Sequence, residues 1–341
     1  MGAGAAFREG VRRVNGAPAV VAGMAAVTLL VALPLSLALR GMIQAHLGRS
    51  LAAETAAGTA NYPWWQEFMS SAGGLAATLT SSITGFGAVL ENLGGLLDNL
   101  PLATTIADVT AAWMVIWTFL SGGVIDRLAR GRRTRAQGFF AACGVHFWRL
   151  LRLGMVAWLV YAFLFGRVHG WIFDEAYSRL TADLTVERTA FALRVAGYLL
   201  FASLLVVFAL IFDYARIRIV VEDRRSALGA IAASLRFLRR HPGRVVRLSG
   251  LNGLALLVLL SLYAAFAPTV PRDGLALWIA LAFGQGYIIG RHYLKLVGYA
   301  SSAALFQATM AHASYTAAPV TVWPDSPAAE RIVNAESVGL R

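Results

Sequence analysis

Six apolar runs govern what this chain can fold into: residues 17–39, 107–128, 151–165, 191–213, 248–267 and 274–290. A helix needs about 20 mostly apolar residues to cross the hydrocarbon core of a bilayer. Five runs approach or exceed that length, and the third reaches it by borrowing Gly170 and Trp171 or by tilting. Of the 341 residues, 58% are hydrophobic and 14% charged. That much apolar surface exceeds what a single water-soluble core can hide, so lipid is the expected solvent. The expected fold is all-α: a polytopic transmembrane helix bundle with six spans.

The formal charge of +12 invites a nucleic-acid reading. The arginines, however, flank the apolar runs; they do not gather on a polar domain with interleaved aromatics, so nucleic acid is not an expected partner. They read as topology. Arg8, Arg12 and Arg13 precede the first run. Arg127, Arg130, Arg132, Arg133 and Arg135 follow the second, and Arg216, Arg218, Arg224, Arg225, Arg236, Arg239, Arg240 and Arg244 lie between the fourth and fifth. Six spans put all three clusters on one side. By the positive-inside rule both termini are then cytoplasmic, in a bacterial inner membrane. The first run exceeds the usual signal-peptide core, so an uncleaved anchor is expected.

The chain divides into four parts. Residues 1–40 hold the basic N-terminus and first span. Residues 41–105 form an extracytoplasmic insertion in which Val89, Leu90, Leu93, Leu96, Leu97 and Leu100 recur at helical spacing beside Glu91, Asn92, Asp98 and Asn99, predicting amphipathic helices on the outer face or a lid over a cavity. Residues 106–310 form a five-span bundle, and 311–341 read as a disordered cytoplasmic tail. Inside the bundle two stretches are alike. At about 107–168 an inward helix ends in Ile125-Asp126-Arg127, a basic elbow follows, and Phe147-Trp148-Arg149 leads into the next span. At about 191–267 an inward helix ends in Asp213-Tyr214-Ala215-Arg216, and an arginine-rich amphipathic elbow stops at His241-Pro242-Gly243. These read as two parallel repeats of helix, cytoplasmic interfacial elbow helix and helix. The sixth run offers half of a third; residues 296–310 after it form either another elbow or a continuation of the span.

Ionisable groups near membrane depth are the candidates for function, because each is costly unless paired. They are Asp126, Asp213, Arg291, His292 and Lys295, expected either to pair across helices at the inner rim or to line a gate or pathway. Arg224, Arg225, Arg236, Arg239, Arg240 and Arg244 suit anionic lipid headgroups at the cytoplasmic face. The six histidines show no metal-ligand spacing, the single Cys143 excludes an intramolecular disulfide and a cysteine cluster, and no P-loop or dinucleotide turn occurs. No cofactor or metal is therefore expected. Asn252 and Gln285 read as polar packing residues or as pathway-lining ones.

The pattern of inward helix, terminal Asp, and the elbow Arg236-Phe237-Leu238-Arg239-Arg240-His241-Pro242-Gly243-Arg244 resembles bacterial six-helix integral membrane proteins. It is similar in organisation to the membrane domain of glycerophosphodiester phosphodiesterases, over roughly residues 107–310. No phosphodiesterase catalytic domain accompanies it, so the resemblance implies an architecture and no activity, and the outer insertion departs from the compact pattern. The expected function is non-enzymatic: a permease-like or lipid-handling bundle with a cavity between repeats. The alternatives are an accessory or scaffold subunit that packs on another membrane protein and a membrane-embedded enzyme.

Overall fold

The structure, a computed structural model, describes residues 1–48, 50–51, 53–58, 61–79, 85–101, 104–131, 134–266 and 274–314. Arg132, Arg133 and the tail beyond residue 314 lie outside them. Every regular element among the described residues is helical. Five helices are long and apolar enough to cross a membrane: α2 (Pro18–Leu47), α6 (Thr104–Arg130), a 46-residue helix Ala136–Thr181, α9 (Glu187–Val221) and α11 (Pro242–Phe266). The protein is thus an all-α, multi-pass membrane protein.

Two basic amphipathic helices are distinct from these. α1 (Ala3–Asn15) buries Ala6, Gly10 and Val14, one residue per turn, and shows Arg8 and Arg12 on its other faces. The chain breaks after Asn15-Gly16-Ala17 and restarts with Pro18 at the first position of α2, where its missing N–H costs nothing. α10 (Ala227–Arg240) repeats this construction. Ser226 caps it by accepting from the Gly229 N–H at 3.1 Å, Ala230, Ala233, Ser234 and Phe237 are buried, and α11 restarts at Pro242.

The segment between α2 and α6 holds α3 (Ala53–Gly58), α4 (Tyr62–Ser71), a single 3₁₀ turn at Ala76–Thr78 and α5 (Gly85–Leu97). Asn61 caps α4 by accepting from Trp64 N–H at 3.0 Å, and α5 packs on α9 and α11. The short third run proves to be the middle of a longer helix. α7 (Ala136–Phe163) passes through two π-helical turns, Leu164–Val168 and Trp171–Ala176, into α8 (Tyr177–Thr181). The helix end expected at Phe147-Trp148-Arg149 is absent, because nothing there removes a backbone N–H as Pro242 does between α10 and α11. The last helix, α12 (Gly274–Ser314), runs unbroken for 41 residues, so residues 296–310 continue the sixth run.

Burial is concentrated toward the arginine-rich ends. On α6 it covers residues 120–128, on α9 residues 211–212, 214–215 and 217–220, and on α12 residues 296–297, 299–301 and 303–306. These three segments pack on one another, and α1, the start of α7, and α10 pack around them. Small residues permit the approach. A methyl group on Gly123 would lie 2.5 Å from Cys143 Sγ, and one on Gly10 would lie 2.7 Å from Ser301 Cβ. The carbonyls at the end of α6 find partners on other helices: Arg13 Nη1 donates to Leu128 O at 3.2 Å, and Gln307 Nε2 donates to Ala129 O at 3.1 Å. Arg127, buried, donates to Gly16 O at 2.9 Å. Toward the opposite ends apolar side chains stay exposed, among them Met114, Val115, Val206, Val207, Leu281 and Phe283, as lipid-bathed helices require.

Candidate functional site

A polar cluster lies where the packed ends of α6, α9 and α12 begin. Asp213 and Arg216 sit three residues apart on α9, one helical turn, and pair at 2.9 Å. Arg216 Nη1 also donates to the Tyr299 hydroxyl of α12 at 3.0 Å, and that hydroxyl lies 3.3 Å from Asp213 Oδ1. One turn before Tyr299, the Lys295 ammonium rests 3.8 Å from the centroid of the Trp117 ring on α6, a cation–π contact worth about 0.5–2 kcal/mol. Trp117 and Tyr299 are buried. The charges are not: the Asp213 side chain is 42% exposed and that of Arg216 28%, and Lys295 is exposed. Charged groups that remain partly exposed thus sit beside buried aromatic rings where three helices meet.

The cluster carries an excess of positive charge. Lys295 has no carboxylate within 4.0 Å among the described residues, and the charged groups acting on it are Arg216, Asp213 and Arg291. Three cations thus face one carboxylate. Arg291, exposed, lies 5.8 Å from the Tyr287 ring, which stacks on Tyr263 of α11 at 4.3 Å.

The five sequence-derived candidates separate into three places. Asp213 and Lys295 share the polar cluster, with Arg291 about one turn farther along α12. His292 turns toward α2, where its Nε2 lies 2.9 Å from Thr28 Oγ1. Because that hydroxyl donates to Met24 O at 2.9 Å, His292 Nε2–H is the donor to Thr28. Asp126 lies nearer the arginine-rich end, buried and paired with Arg130 on its own helix at 2.7 Å. Both acids therefore pair within their helices, through i,i+3 and i,i+4 spacing, and no ion pair joins Asp126 or Asp213 to Arg291 or Lys295. Sequence reasoning missed Trp117, Arg216 and Tyr299 as site residues. The signal was present for two of them: Arg216 follows Asp213 by three residues, and Tyr299 follows Lys295 by four.

On the elbow, Arg225, Arg236, Arg239, Arg240 and Arg244 are exposed, whereas Arg224 is half-buried against Glu222. The elbow is tied to α7 by Arg149, which binds the Asp223 carboxylate and donates to its carbonyl at 3.3 Å. The Arg149 hydrogen bond holds the Asp223 carboxyl below the usual carboxylate range. On α1, the Arg13 guanidinium beside Glu9, helped by Arg12, does the same to the Glu9 carboxyl.

A cavity of about 580 Å³ lies at the other end of α9, beside the π-helical turns, lined by Asp98, His169, Asp174, Tyr177, Arg194 and Tyr198. Its polar groups largely satisfy one another. Tyr198 donates to Asp98, Arg194 Nε donates to Tyr198 at 3.2 Å, and His169 Nε2 meets Leu97 O at 3.0 Å. They clasp the end of α5 to α7–α9. Among the described residues no group of three His, Cys, Asp or Glu is placed to hold a metal ion. Compared with family models, curated proteins and solved structures, the chain matched none of them.

Proposed function

We propose that this is a non-enzymatic protein of a bacterial inner membrane that takes a lipid or another amphiphile into the recess between α6, α9 and α12, as a permease-like or lipid-handling bundle. The observation that carries the reading is the accessible Lys295 ammonium, seated on Trp117 at 3.8 Å without a carboxylate partner among the described residues. An exposed ammonium at the membrane boundary that no described carboxylate neutralises is open to a bound counter-charge.

In this reading α12 is the sixth span and both termini are cytoplasmic. The architecture is one of repeats, each an inward helix gripped by a basic elbow. Cys143 Sγ reaches Leu120 O at 3.9 Å, and Ser234 Oγ donates to Ile211 O at 2.9 Å; in both copies elbow and inward helix meet 23 residues apart. By that alignment buried Arg127 matches buried Arg218, each 8% exposed, so these arginines correspond more closely than Asp126 and Asp213 do. The third unit is permuted: α12 is its inward helix, and α1, at the chain's start, is its elbow, meeting α12 at Gly10 and Ser301.

A scaffold subunit is the second reading. It is favoured by Gly250, Gly253 and Gly286, which lie exposed on α11 and α12 with nothing within 4 Å of an added methyl group and so leave room for another helix. Native mass spectrometry of the gently extracted protein separates the two. A stoichiometric adduct of lipid mass supports the cavity; a bare mass, or one that includes a second protein, supports the scaffold.

A further inference from the structure

The geometry points to an anion site in the recess, with Lys295 and Arg216 as its cationic walls and a phosphate group, carried on a membrane lipid, as its ligand. The inference rests on the lipid-handling reading above and names the chemistry of what is held.

Three observations converge. The first is charge. Arg216 and Lys295, with Arg291 nearby, outnumber the single Asp213, and that carboxylate is already shared between Arg216 and Tyr299. The Lys295 ammonium lies against the Trp117 ring, and among the described residues no protein acceptor takes its N–H donors. A cationic ligand is repelled here and a neutral one leaves the charge uncompensated; an anion completes the site.

The second is depth. Lys295 follows Gly274 by 21 residues on one unbroken helix, about 31 Å along its axis. With Gly274 at the outer boundary, the ammonium lies one hydrocarbon thickness away, about 30 Å, at the level of the inner-leaflet phosphates. Trp117, Tyr299 and half-buried Tyr161 supply the aromatic surroundings suited to that level.

The third is the change in packing at this level. Toward the arginine-rich end α6, α9 and α12 are tightly buried against one another; on the other side of Lys295 they expose Met114 and Val115, Val206 and Val207, and Phe283 and Ile289. A phosphate held at Lys295 therefore stands where tight helix packing gives way to exposed apolar helix surface. An attached acyl chain fits that surface and a free anion does not use it. The exposed elbow arginines Arg239 and Arg240 form a different, surface contact with headgroups, away from that boundary.

The test uses the full-length protein, delipidated by detergent exchange and titrated in native mass spectrometry with phosphatidylglycerol, phosphatidylcholine and inorganic phosphate. Retention of phosphatidylglycerol over phosphatidylcholine is expected, with competition by phosphate. Lys295→Met should weaken phosphatidylglycerol binding about tenfold or more, the loss of one charge-assisted contact, whereas Lys295→Arg and the surface pair Arg239→Gln with Arg240→Gln should retain it. The wild-type preference and the phosphate competition need no variant, so they stand even where a substitution disturbs folding. Equal binding of the two lipids, unchanged by Lys295→Met, overturns the anion site and leaves the lipid cavity intact. Lys295-dependent binding of phosphate with no bound lipid upholds the anion site and overturns the lipid cavity. Binding of neither overturns both.

Discussion

Replacing Gly10 with alanine tests the docking of α1 on α12 with opposing effects of known size. In an isolated helix the change is favourable by about 1 kcal/mol, because glycine is the poorer helix former. In this protein the new methyl carbon would lie 2.7 Å from Ser301 Cβ, 2.8 Å from its N and 3.0 Å from its Cα. Two of the three are backbone atoms, so no side-chain rotation relieves the contact. Restoring an ordinary separation near 3.5 Å moves α1 outward by about 0.7 Å. That movement stretches the Arg13 bonds to Leu128 O and to Gln307 Oε1, now 3.2 and 2.9 Å. Overpacking of this kind costs about 1–3 kcal/mol, so Gly10→Ala should be net destabilising by up to about 2 kcal/mol despite its better propensity. Gly4, on the same helix with nothing within 4 Å, is the control, and Gly4→Ala should be neutral or stabilising. The assay is the apparent melting midpoint of the detergent-purified protein, read by size-exclusion monodispersity after heating at one fixed rate, since membrane-protein unfolding is commonly irreversible. A Gly10→Ala midpoint at or above wild type would refute the contact and, with it, α1 as the elbow of α12.

The same logic holds where α6 meets α7: Gly123→Ala, where the methyl would meet Phe139 O at 2.8 Å, should lower the midpoint, while Gly138→Ala on α7, in open space, should not. Acid should loosen α1. The Glu9 carboxyl is held below its unfolded value, so its stabilising contribution is present above the unfolded pKa of about 4.3 and is lost as pH falls through the folded one. Amide exchange of residues 3–15, corrected for intrinsic rates, should rise below about pH 4, and Glu9→Gln should show the faster exchange already at pH 7. Ser234→Val removes the hydroxyl that reaches Ile211 O at 2.9 Å in a fully buried position; a melting loss equivalent to about 1–3 kcal/mol is expected, and an unchanged midpoint would deny the elbow contact. Topology is readable because Cys143 is the only cysteine. In a Cys143→Ser background, a cysteine at Arg239 should react with impermeant maleimide only in inverted vesicles, and one at Glu67 only in intact cells.

The bundle was legible in the apolar runs because bilayer length leaves a one-dimensional signature. The α10 elbow was legible too, since Ser226, the small residues Ala230, Ala233 and Ser234, and the closing Pro242 are all local signals. The rest needed three dimensions. α1 was read as a basic leader to the first span, although Ala6, Gly10 and Val14 mark a narrow buried stripe; its partner Ser301 is almost the whole chain away. The continuous helix from α7 to α8 hid behind Gly166, Arg167, His169 and Gly170, which punctuate the hydropathy without ending the helix, because π-helical turns absorb them. Trp117 reads as an ordinary member of the second apolar run, and Tyr299 as part of the segment after the sixth. Only the convergence of α6, α9 and α12 shows that their rings wall in the charges.

The account turns on what occupies the space beside Lys295, and the most direct measurement is an experimental density map of the protein in lipid nanodiscs. A headgroup density within hydrogen-bonding distance of the Lys295 ammonium and the Arg216 guanidinium, continued by acyl density between α6, α9 and α12, is the predicted result. A recess closed by side chains, or Lys295 paired with a protein carboxylate, would contradict it.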